Sequence, residues 1–245
     1  MAELVAGVDG CRAGWVVVLT QSACGGGRGA AAEVAVAPDF RRVLELTREV
    51  RVVGVDMPIG LLDAAAPGGR ECDRHARRLL GRARACSVFS PPVRGALVRQ
   101  SYRRALSANR ASSAERLGIS IECFNLFSRL REVDEALSAN LTLAERVTEI
   151  HPELSFRALA GATVGLGEPK RSRRGLARRV TLLRPVFPRL ACLLETRLPG
   201  VAPDDVLDAH AVAWSAARVA RNGAVCLPAR PAPRDARGLP MAIWY

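Results

Sequence analysis

The chain has 245 residues, 49% of them hydrophobic, and its 36 Lys and Arg against 24 Asp and Glu give a formal net charge of +12. This length supports one substantial hydrophobic core, so we expect a single α/β domain over residues 1–245. No apolar run reaches the roughly 20 residues that cross a bilayer, which argues against a membrane protein. The charge suits a polyanionic partner such as nucleic acid. Because every basic residue except Lys170 is an arginine, codon composition is an equally good explanation of the charge.

The seven cysteines are odd in number and scattered along the chain. This usage is typical of reduced thiols, and together with the lack of an apolar leader it predicts a soluble, cytoplasmic protein. Cys72 and His75 have a spacing that metal ligands use, but no second pair follows to complete a zinc site.

Short apolar runs predict a sheet at the start of the chain. The runs LVAGVD and WVVVLTQ form a hairpin connected through GCRAG, and AAEVAVAP is a third strand after a glycine-rich turn at residues 25–29. A helix follows from the N-cap Asp39 to about residue 50. The run RVVGVDMP is apolar throughout, as in a strand buried in the middle of a sheet.

The second half predicts further helices and strands. Residues from about 64 to 140 are rich in arginine and helical in pattern, which predicts an inserted helical subdomain or lid. The strand RVTEIHP and the helix ELSFRALAG come next, then a basic turn-rich segment, EPKRSRRGLARR, and a helix through LLRPVF. A long helix begins at Pro203 and ends at Gly223. The runs AVCLP and PMAIWY are terminal strands.

Five carboxylates stand where these elements begin or end. Asp9 precedes a glycine, and Asp-Gly is a common hairpin turn pair that needs no function. Glu153 and Asp205 fit the first turn of a helix, where the helix dipole favours an acid. Asp56 ends a buried strand, and a buried acid needs a partner. Asp208 lies three residues after Asp205, so the two like charges share one helix face and require a cation or an arginine between them.

Taken together, the acids predict a metal site. If the strands that carry Asp9 and Asp56 are neighbours, the two carboxylates lie side by side, and the final helix brings Asp205 and Asp208 over them. Such oxygen ligands suit Mg²⁺ or Mn²⁺. With two ions about 3.5–4 Å apart, one activating water and the other stabilising the leaving oxygen, the site would hydrolyse a phosphodiester bond.

Seven blocks of sequence, in order over nearly the whole chain, carry a resemblance to a known family: VDGCRAGWV, VDMPIGL, RECDRHARRLLG, GISIECFNLFSRLREVDEAL, EIHPELSF, KRSRRGLARR and DDVLDAHAVAWSAAR. They resemble the domain-of-unknown-function family 429. That resemblance implies a ribonuclease-H-like fold, a mixed sheet of antiparallel hairpin strands followed by parallel strands and flanked by helices, and it implies a nuclease.

The ending DDVLDAHA is also similar to the acidic final helix of Holliday-junction resolvases. This comparison implies that Asp205 and Asp208 hold metal and that Asp9 and Asp56 take the two strand positions. Glu153 falls in the family's HPE block. The chain departs from the common family pattern at Glu122, where glutamine is usual, and at residues 129–131, where arginines replace a segment containing lysine. We therefore expect Asp9, Asp56 and Asp208 to be catalytic, with Asp205 and Glu153 as further metal ligands.

Basic residues are candidates for contact with substrate. Arg70, Arg74 and Arg78 recur along one helix as a stripe that could face phosphates, although a solvated helix face has the same pattern. Lys170 could contact a phosphate as a flexible point charge. His151 and His210 are interpreted as structural.

Three functions from different classes fit these features: a metal-dependent nuclease, an ATP-handling protein of the actin-like superfold, and a catalytically silent nucleic-acid-binding module. The nuclease is favoured by the acids. The ATP-handling alternative needs glycine-rich phosphate loops, which the chain lacks. Aromatic residues make up only 4% of the chain, so base stacking is a poor basis for recognition and backbone contacts should dominate.

Overall fold

A computed structural model describes residues 3–22 and 31–245. Within these residues the main sheet has five strands in the spatial order β3-β2-β1-β4-β5. They are β1 (Leu4–Cys11), β2 (Gly14–Gln21), β3 (Ala32–Ala37), β4 (Val52–Val55) and β5 (Val147–Glu149). The glycine-rich turn predicted at residues 25–29 lies outside the described residues. All five predicted strands of the sheet are present.

The directions of the strands confirm the predicted fold class. Strands β1, β2 and β3 pair antiparallel, whereas β4 pairs parallel with β1 and β5 pairs parallel with β4. A three-stranded antiparallel meander extended by parallel strands, with helices on both faces, is the ribonuclease-H-like arrangement. Because β1 and β4 are parallel neighbours, their carboxyl ends meet at the same end of the sheet.

The hairpin between β1 and β2 is tighter than the sequence suggests. Asp9 pairs with Val16 and Gly10 with Trp15, so both residues belong to the ladder. The loop consists of Arg12 and Ala13 alone. The interpretation of Asp9-Gly10 as a hairpin turn is therefore wrong, since the strand continues two residues beyond Asp9.

Ten α-helices are described: α1 (Phe40–Leu46), α2 (Glu71–Arg84), α3 (Arg94–Leu97), α4 (Tyr102–Ala111), α5 (Ile121–Asn125), α6 (Phe127–Ala139), α7 (Pro152–Leu159), α8 (Arg173–Leu183), α9 (Leu190–Glu195) and α10 (Pro203–Ala220). Helix α1 begins where predicted, because the Asp39 carboxylate accepts a hydrogen bond from the Arg42 amide at 2.8 Å. Helix α10 begins at Pro203, also as predicted. Among the helices described, none combines the length and apolarity that crossing a bilayer requires.

Helix α8 begins and ends earlier than the sequence predicts. The segment expected to be a basic turn is helical from Arg173 onward, since the Ser172 hydroxyl accepts a hydrogen bond from the Gly175 amide at 3.0 Å and caps the helix. The helix ends at Leu183, two residues before Pro185, which lacks an amide donor and disfavours helix in the residue before it. The predicted helix through LLRPVF is thus the end of α8.

The segment over residues 64–140 is helical, as predicted, and it contributes to the main core. Helix α6 lies on one face of the sheet, where alternate strand residues point towards it. Its apolar side chains share one buried cluster with those of the first two strands; the members are Phe127, Leu130, Val133 and Leu137 from α6, and Ala6, Val8, Trp15 and Val17 from the sheet. The apolar face of α6 is therefore packed against the sheet.

Helix α10 packs on the opposite face at unusually short range. A Cβ atom added to Gly7 would lie 2.1 Å from the Ala209 carbonyl oxygen and 2.2 Å from the Ala213 nitrogen. A Cβ atom added to Gly54 of β4 would lie 2.6 Å from Ile150 Cδ1 and 2.8 Å from Val212 Cγ1, both side-chain atoms. Glycine in the strands and alanine on the helix therefore let the two backbones touch, and this contact holds the first turns of α10 above the carboxyl ends of β1 and β4.

The two predicted terminal strands pair with each other. Strands β6 (Cys226–Leu227) and β7 (Ile243–Trp244) are antiparallel, and a single bridge from Trp244 to Ile150 joins them to the region just after β5. Between them, the Asp235 carboxylate accepts a hydrogen bond from the Leu61 amide at 3.0 Å. These contacts tie residues 226–244 to the segment that follows Asp56.

Candidate metal centre

Asp9 and Asp56 lie side by side at the carboxyl ends of neighbouring strands. In the parallel pairing of β1 with β4, Val8 is opposite Val55, so the next residue of each strand is an aspartate. The amide of Asp56 donates to the Val8 carbonyl at 2.9 Å, which continues the ladder past the end of β4. The sheet therefore brings together the two acids that the sequence analysis expected to be neighbours.

Asp208 completes the group from above the sheet. It lies in α10 one residue before Ala209, which contacts Gly7. Carboxylate oxygens of Asp9, Asp56 and Asp208 all lie within 4.8 Å of one another. Asp9 and Asp208 are buried and Asp56 is half-buried. We refer to these three residues as the acid cluster.

The cluster gathers negative charge in a buried place. Burial raises the pKa of Asp9 well above its usual value, and the carboxylates of Asp56 and Asp208 raise it further. Burial also raises the pKa of Asp56 and of Asp208 to about 7, against the opposing effect of the Lys170 ammonium. The ionised acids are thus poorly compensated by the protein itself, as expected of a site that takes up a cation.

Lys170 supplies one positive charge to the cluster. Its Nζ lies 2.7 Å from Asp208 Oδ2 and 3.6 Å from Asp204 Oδ2. Burial lowers the pKa of Lys170, but the carboxylates of Asp208, Asp9 and Asp56 together more than offset this, and the pKa is raised overall. Asp204 has a second partner, Arg171, at 3.0 Å. Lys170, a predicted phosphate contact, thus pairs with an acid of the cluster, and Asp204 is an acid of the site for which the sequence pattern gave no separate signal.

Asp205 and Glu153 border the same cavity but have other partners. The Asp205 carboxylate accepts a hydrogen bond from the Ala202 amide at 3.0 Å and caps α10. Glu153 Oε1 accepts one from Arg179 at 2.6 Å, and Arg84 lies 3.8 Å from Oε2. Neither belongs to the group of oxygens within 4.8 Å, so among the described residues the structure brings together three of the five predicted metal ligands.

The donor set fits a hard divalent cation. Mg²⁺ and Mn²⁺ prefer carboxylate oxygens, and the cluster offers one from each of three residues. Asp208 Oδ1 is buried and has no hydrogen-bond partner among the described residues. A buried carboxylate oxygen without a donor is costly, and a bound cation would satisfy it.

The three arginines of the predicted stripe differ in burial. Arg70 is 2% exposed and lies immediately before the first residue of α2. Its guanidinium pairs with Asp73 and Glu149, each at 2.7 Å. Arg74 and Arg78 are exposed on α2, and the Arg74 guanidinium donates to the Gly69 carbonyl. The interpretation of Arg70 as a substrate contact is corrected. Its guanidinium N–H groups already donate to the carboxylates of Asp73 and Glu149, because the start of α2 is buried in the protein.

A cavity of about 330 Å³ opens over the acid cluster. Besides the predicted acids and Lys170, its lining includes His151, Arg171 and Glu149, which the sequence analysis had not assigned to a site. The Nε2 atom of His151 lies 3.3 Å from the carbonyl oxygen of Ser87. The HPE block, which holds both His151 and Glu153, was the sequence signal for this part of the lining.

His210 lies outside this cavity. It is buried against Phe187, and burial lowers its pKa to about 4, in keeping with a structural role.

A family model described as a protein of unknown function, DUF429, matches residues 7–233. The match covers nearly all of the chain, including the three acids of the cluster. The chain belongs to the DUF429 family. This confirms the resemblance found in the seven sequence blocks, from the β1 hairpin to α10.

Two solved structures are similar to this DUF429 chain. One is Thermus thermophilus RuvC in complex with a Holliday junction substrate, with 16% sequence identity, a TM-score of 0.42, and coverage of 90% of this chain and 96% of that chain. The other is a Thermus thermophilus RuvC structure, with 15% identity, a TM-score of 0.34, and coverage of 90% and 97%. No curated protein matches the sequence.

Proposed function

We propose that this protein is a nuclease that hydrolyses phosphodiester bonds of nucleic acid with the help of Mg²⁺ or Mn²⁺ held by Asp9, Asp56 and Asp208. The observation that supports this most directly is the acid cluster itself, three carboxylates within 4.8 Å in a buried place. A protein gains no stability from crowding buried like charges, so their gathering points to a bound cation.

The chain's own residues have distinct tasks in this reaction. The acid cluster binds the divalent ion, which when bound supplies an acidified water and stabilises charge on the leaving oxygen. Lys170 and Arg171 line the cavity beside the cluster, where cationic side chains can hold a phosphate. Met57, Val88 and Phe89 form an apolar part of the cavity lining.

Nucleic acid as the substrate is supported by charge. The chain has a net charge of +12. Four arginines that follow Lys170 in the sequence are exposed, one before α8 and three within it: Arg171, Arg173, Arg174 and Arg178. Such a basic surface beside the cavity suits a phosphate backbone, whose contacts position the duplex without reading its sequence. The RuvC structure with a Holliday junction makes branched DNA a substrate to include in the first assay.

The two-ion mechanism expected from the sequence requires ligands for a second ion. Asp205 and Glu153 are the remaining acids of that prediction, and both line the cavity. Asp205 already caps α10, and Glu153 Oε1 already accepts from Arg179. Glu153 Oε2 has no hydrogen-bond partner among the described residues, but Arg84 lies 3.8 Å from it. The support for one ion at the acid cluster is therefore stronger than the support for two.

The test is cleavage of four-way DNA junctions, linear duplexes and structured RNA with Mg²⁺ or Mn²⁺, using wild type, Asp9→Asn and Asp208→Asn. We expect cleavage by the wild type and its loss in both variants and in EDTA. Glu33→Gln is the matched control, because Glu33 is an exposed acid on the edge strand β3. Cleavage that survives both aspartate substitutions would contradict the proposal.

Two other outcomes would favour the alternative functions. Thermal stabilisation by ATP and not by oligonucleotide would indicate an ATP-handling protein. Salt-sensitive binding of nucleic acid with no effect of metal, and no cleavage, would indicate a silent binding module.

A further inference from the structure

Lys170 is the single lysine of the chain; the other 35 of its 36 basic residues are arginines. The compositional bias that explains the arginines makes a lysine at this position an exception. The two side chains differ in a way that matters here: an ammonium is a compact point charge, whereas a guanidinium is a wide planar fork. The ammonium therefore places its positive charge on a single carboxylate oxygen.

The contacts of Lys170 assign its charge to Asp208. Nζ lies 2.7 Å from Asp208 Oδ2 and 3.6 Å from Asp204 Oδ2. Asp204 is paired at shorter range, 3.0 Å, with Arg171. Since Arg171 compensates Asp204, Lys170 is left to compensate the acid cluster, whose other two members have no ion-pair partner among the described residues.

The two oxygens of Asp208 are in different situations. Oδ2 accepts the hydrogen bond from Lys170, while Oδ1 is buried without a donor. One oxygen of this carboxylate is thus taken by a cation that belongs to the chain, and the other is available to a cation from solution. A second cation next to Oδ2 would lie beside the ammonium and be repelled by its charge.

Charge balance leads to the same conclusion. The three ionised acids of the cluster carry three negative charges; Lys170 supplies one positive charge and a single divalent ion supplies two, so the centre becomes neutral. A second divalent ion beside the ammonium would leave an excess of positive charge at the centre even when Asp205, a further acid of the cavity lining, is counted, and a buried excess charge is disfavoured.

We propose that the centre binds one divalent ion and that Lys170 is a resident cation in the position that a second ion would otherwise take. This inference rests on the proposed function, because it concerns the same acid cluster. It predicts that the protein binds one Mn²⁺ per chain, and that removal of the Lys170 charge allows a second to bind.

The test is the stoichiometry of Mn²⁺ binding, measured without substrate from the electron paramagnetic resonance signal of free Mn²⁺ and from titration calorimetry. We expect one ion in the wild type, two in Lys170→Met, and one in the charge-retaining variant Lys170→Arg. Arg173→Met is the matched control, because it removes one exposed charge from the same basic segment; it should still bind one ion. Asp208→Asn should bind none.

A second way of removing the charge does not depend on how a variant folds. Lys170 is the only side-chain amine, and its side chain is 39% exposed, so an acetylating reagent reaches one side-chain amine in the folded wild type. Because the neighbouring carboxylates raise the pKa of this amine, the reaction is run at alkaline pH with excess reagent. Mass spectrometry verifies the modification, and the acetylated protein should bind two Mn²⁺.

The possible results separate this inference from the proposed function. A wild type that binds two Mn²⁺ overturns the inference and leaves the nuclease proposal intact. The inference is also overturned if both Lys170→Met and the acetylated protein still bind one ion. A folded wild type that binds no Mn²⁺ overturns the proposed function, and the inference with it.

Discussion

Two groups of buried charges border the same cavity, and they are satisfied to different degrees. In the first, which we call the arginine network, Arg70 lies between Asp73 and Glu149. Its guanidinium donates to both carboxylates at 2.7 Å and to the Ile59 carbonyl at 2.8 Å. The amide of Ile59 in turn donates to Glu149 at 2.7 Å. The network therefore needs nothing from solution.

The acid cluster has the opposite character. Three carboxylates share one ammonium, and Asp208 Oδ1 has no donor among the described residues. The comparison indicates how to separate structural from functional buried charges in this protein. Where the fold supplies every partner, the charges hold the fold together; where it leaves an oxygen unpaired, a ligand is expected to complete the site.

The largest expected effect is on the arginine network. Arg70→Met leaves two buried carboxylates without a cation, so we expect the free energy of unfolding to fall by about 3–5 kcal/mol. Urea unfolding followed by circular dichroism measures the change. Arg78→Met, an exposed arginine of the same helix, should change it by less than about 0.5 kcal/mol. Equal effects of the two substitutions would show that Arg70 is not the centre of a structural network.

The acid cluster should respond in the opposite direction. Asp56→Asn removes a charge whose burial is unfavourable, so at a pH above 7 and without divalent ions we expect the variant to be more stable than the wild type by about 1–3 kcal/mol. The same variant should no longer be stabilised by Mg²⁺. Urea unfolding in EDTA and in Mg²⁺ tests both statements. A loss of stability in EDTA would mean that Asp56 has a structural partner.

Acidity provides a further test of the cluster. The pKa of Asp56 is about 7 in the folded protein and 3.8 in an unperturbed chain, so it is raised by folding. The protonated carboxyl of Asp56 therefore makes its full contribution to the free energy of unfolding below about pH 4. That contribution is lost as the pH rises through about 7. Mg²⁺ binds the ionised form, so its stabilising effect should grow over the same range, by about 1.4 kcal/mol per pH unit for each displaced proton.

Unfolding free energies with Mg²⁺ and with EDTA, measured from about pH 5 to about pH 8, give this difference directly. In Asp56→Asn the difference should be close to zero at every pH. A Mg²⁺ effect in the wild type that does not vary with pH would argue that the acids are already ionised at low pH.

The smallest effect concerns Asp205, whose carboxylate caps α10. Asp205→Asn keeps an oxygen acceptor for the Ala202 amide and should leave stability almost unchanged, whereas Asp205→Ala should cost about 1 kcal/mol. If Asp205 acts only as a cap, Mn²⁺ affinity in Asp205→Asn should stay within about twofold of the wild type, a difference near 0.4 kcal/mol. A loss of tenfold or more would make Asp205 a metal ligand, as the sequence predicted.

The sheet and the pairing of Asp9 with Asp56 were predictable because they follow from short-range patterns. Apolar runs locate strands, and the short helical crossover between β3 and β4 favours a parallel neighbour for β1. The carboxyl ends of two neighbouring parallel strands lie at the same end of the sheet, however the rest of the chain folds. The start of α10 was predictable for a similar reason, because Pro203 marks a first helical turn.

Arg70 and Lys170 were harder to interpret because their roles depend on contacts distant in sequence. The spacing of Arg70, Arg74 and Arg78 describes a helix face but not whether that face is buried. The partner of Arg70, Glu149, lies in β5, and the partner of Lys170, Asp208, lies in α10. Charge patterns along a segment contain no information about such partners.

The choice between Asp204 and Asp205 shows the same limit. Residues three and four positions before Asp208 both share its helix face, so spacing alone supports either. The structure turns Asp204 towards Lys170 and Arg171 and uses Asp205 as a cap. Only the approach of the basic segment before α8 distinguishes them.

The contact between Gly7 and α10 has a consequence for the timing of synthesis. Asp9 and Asp56 leave the ribosome early, but Asp208 follows Asp9 by roughly 200 residues, and the cluster exists only after α10 has settled on β1. A partly synthesised chain that holds Asp9 and Asp56 but not yet Asp208 therefore has two of the three carboxylates and lacks the assembled acid cluster.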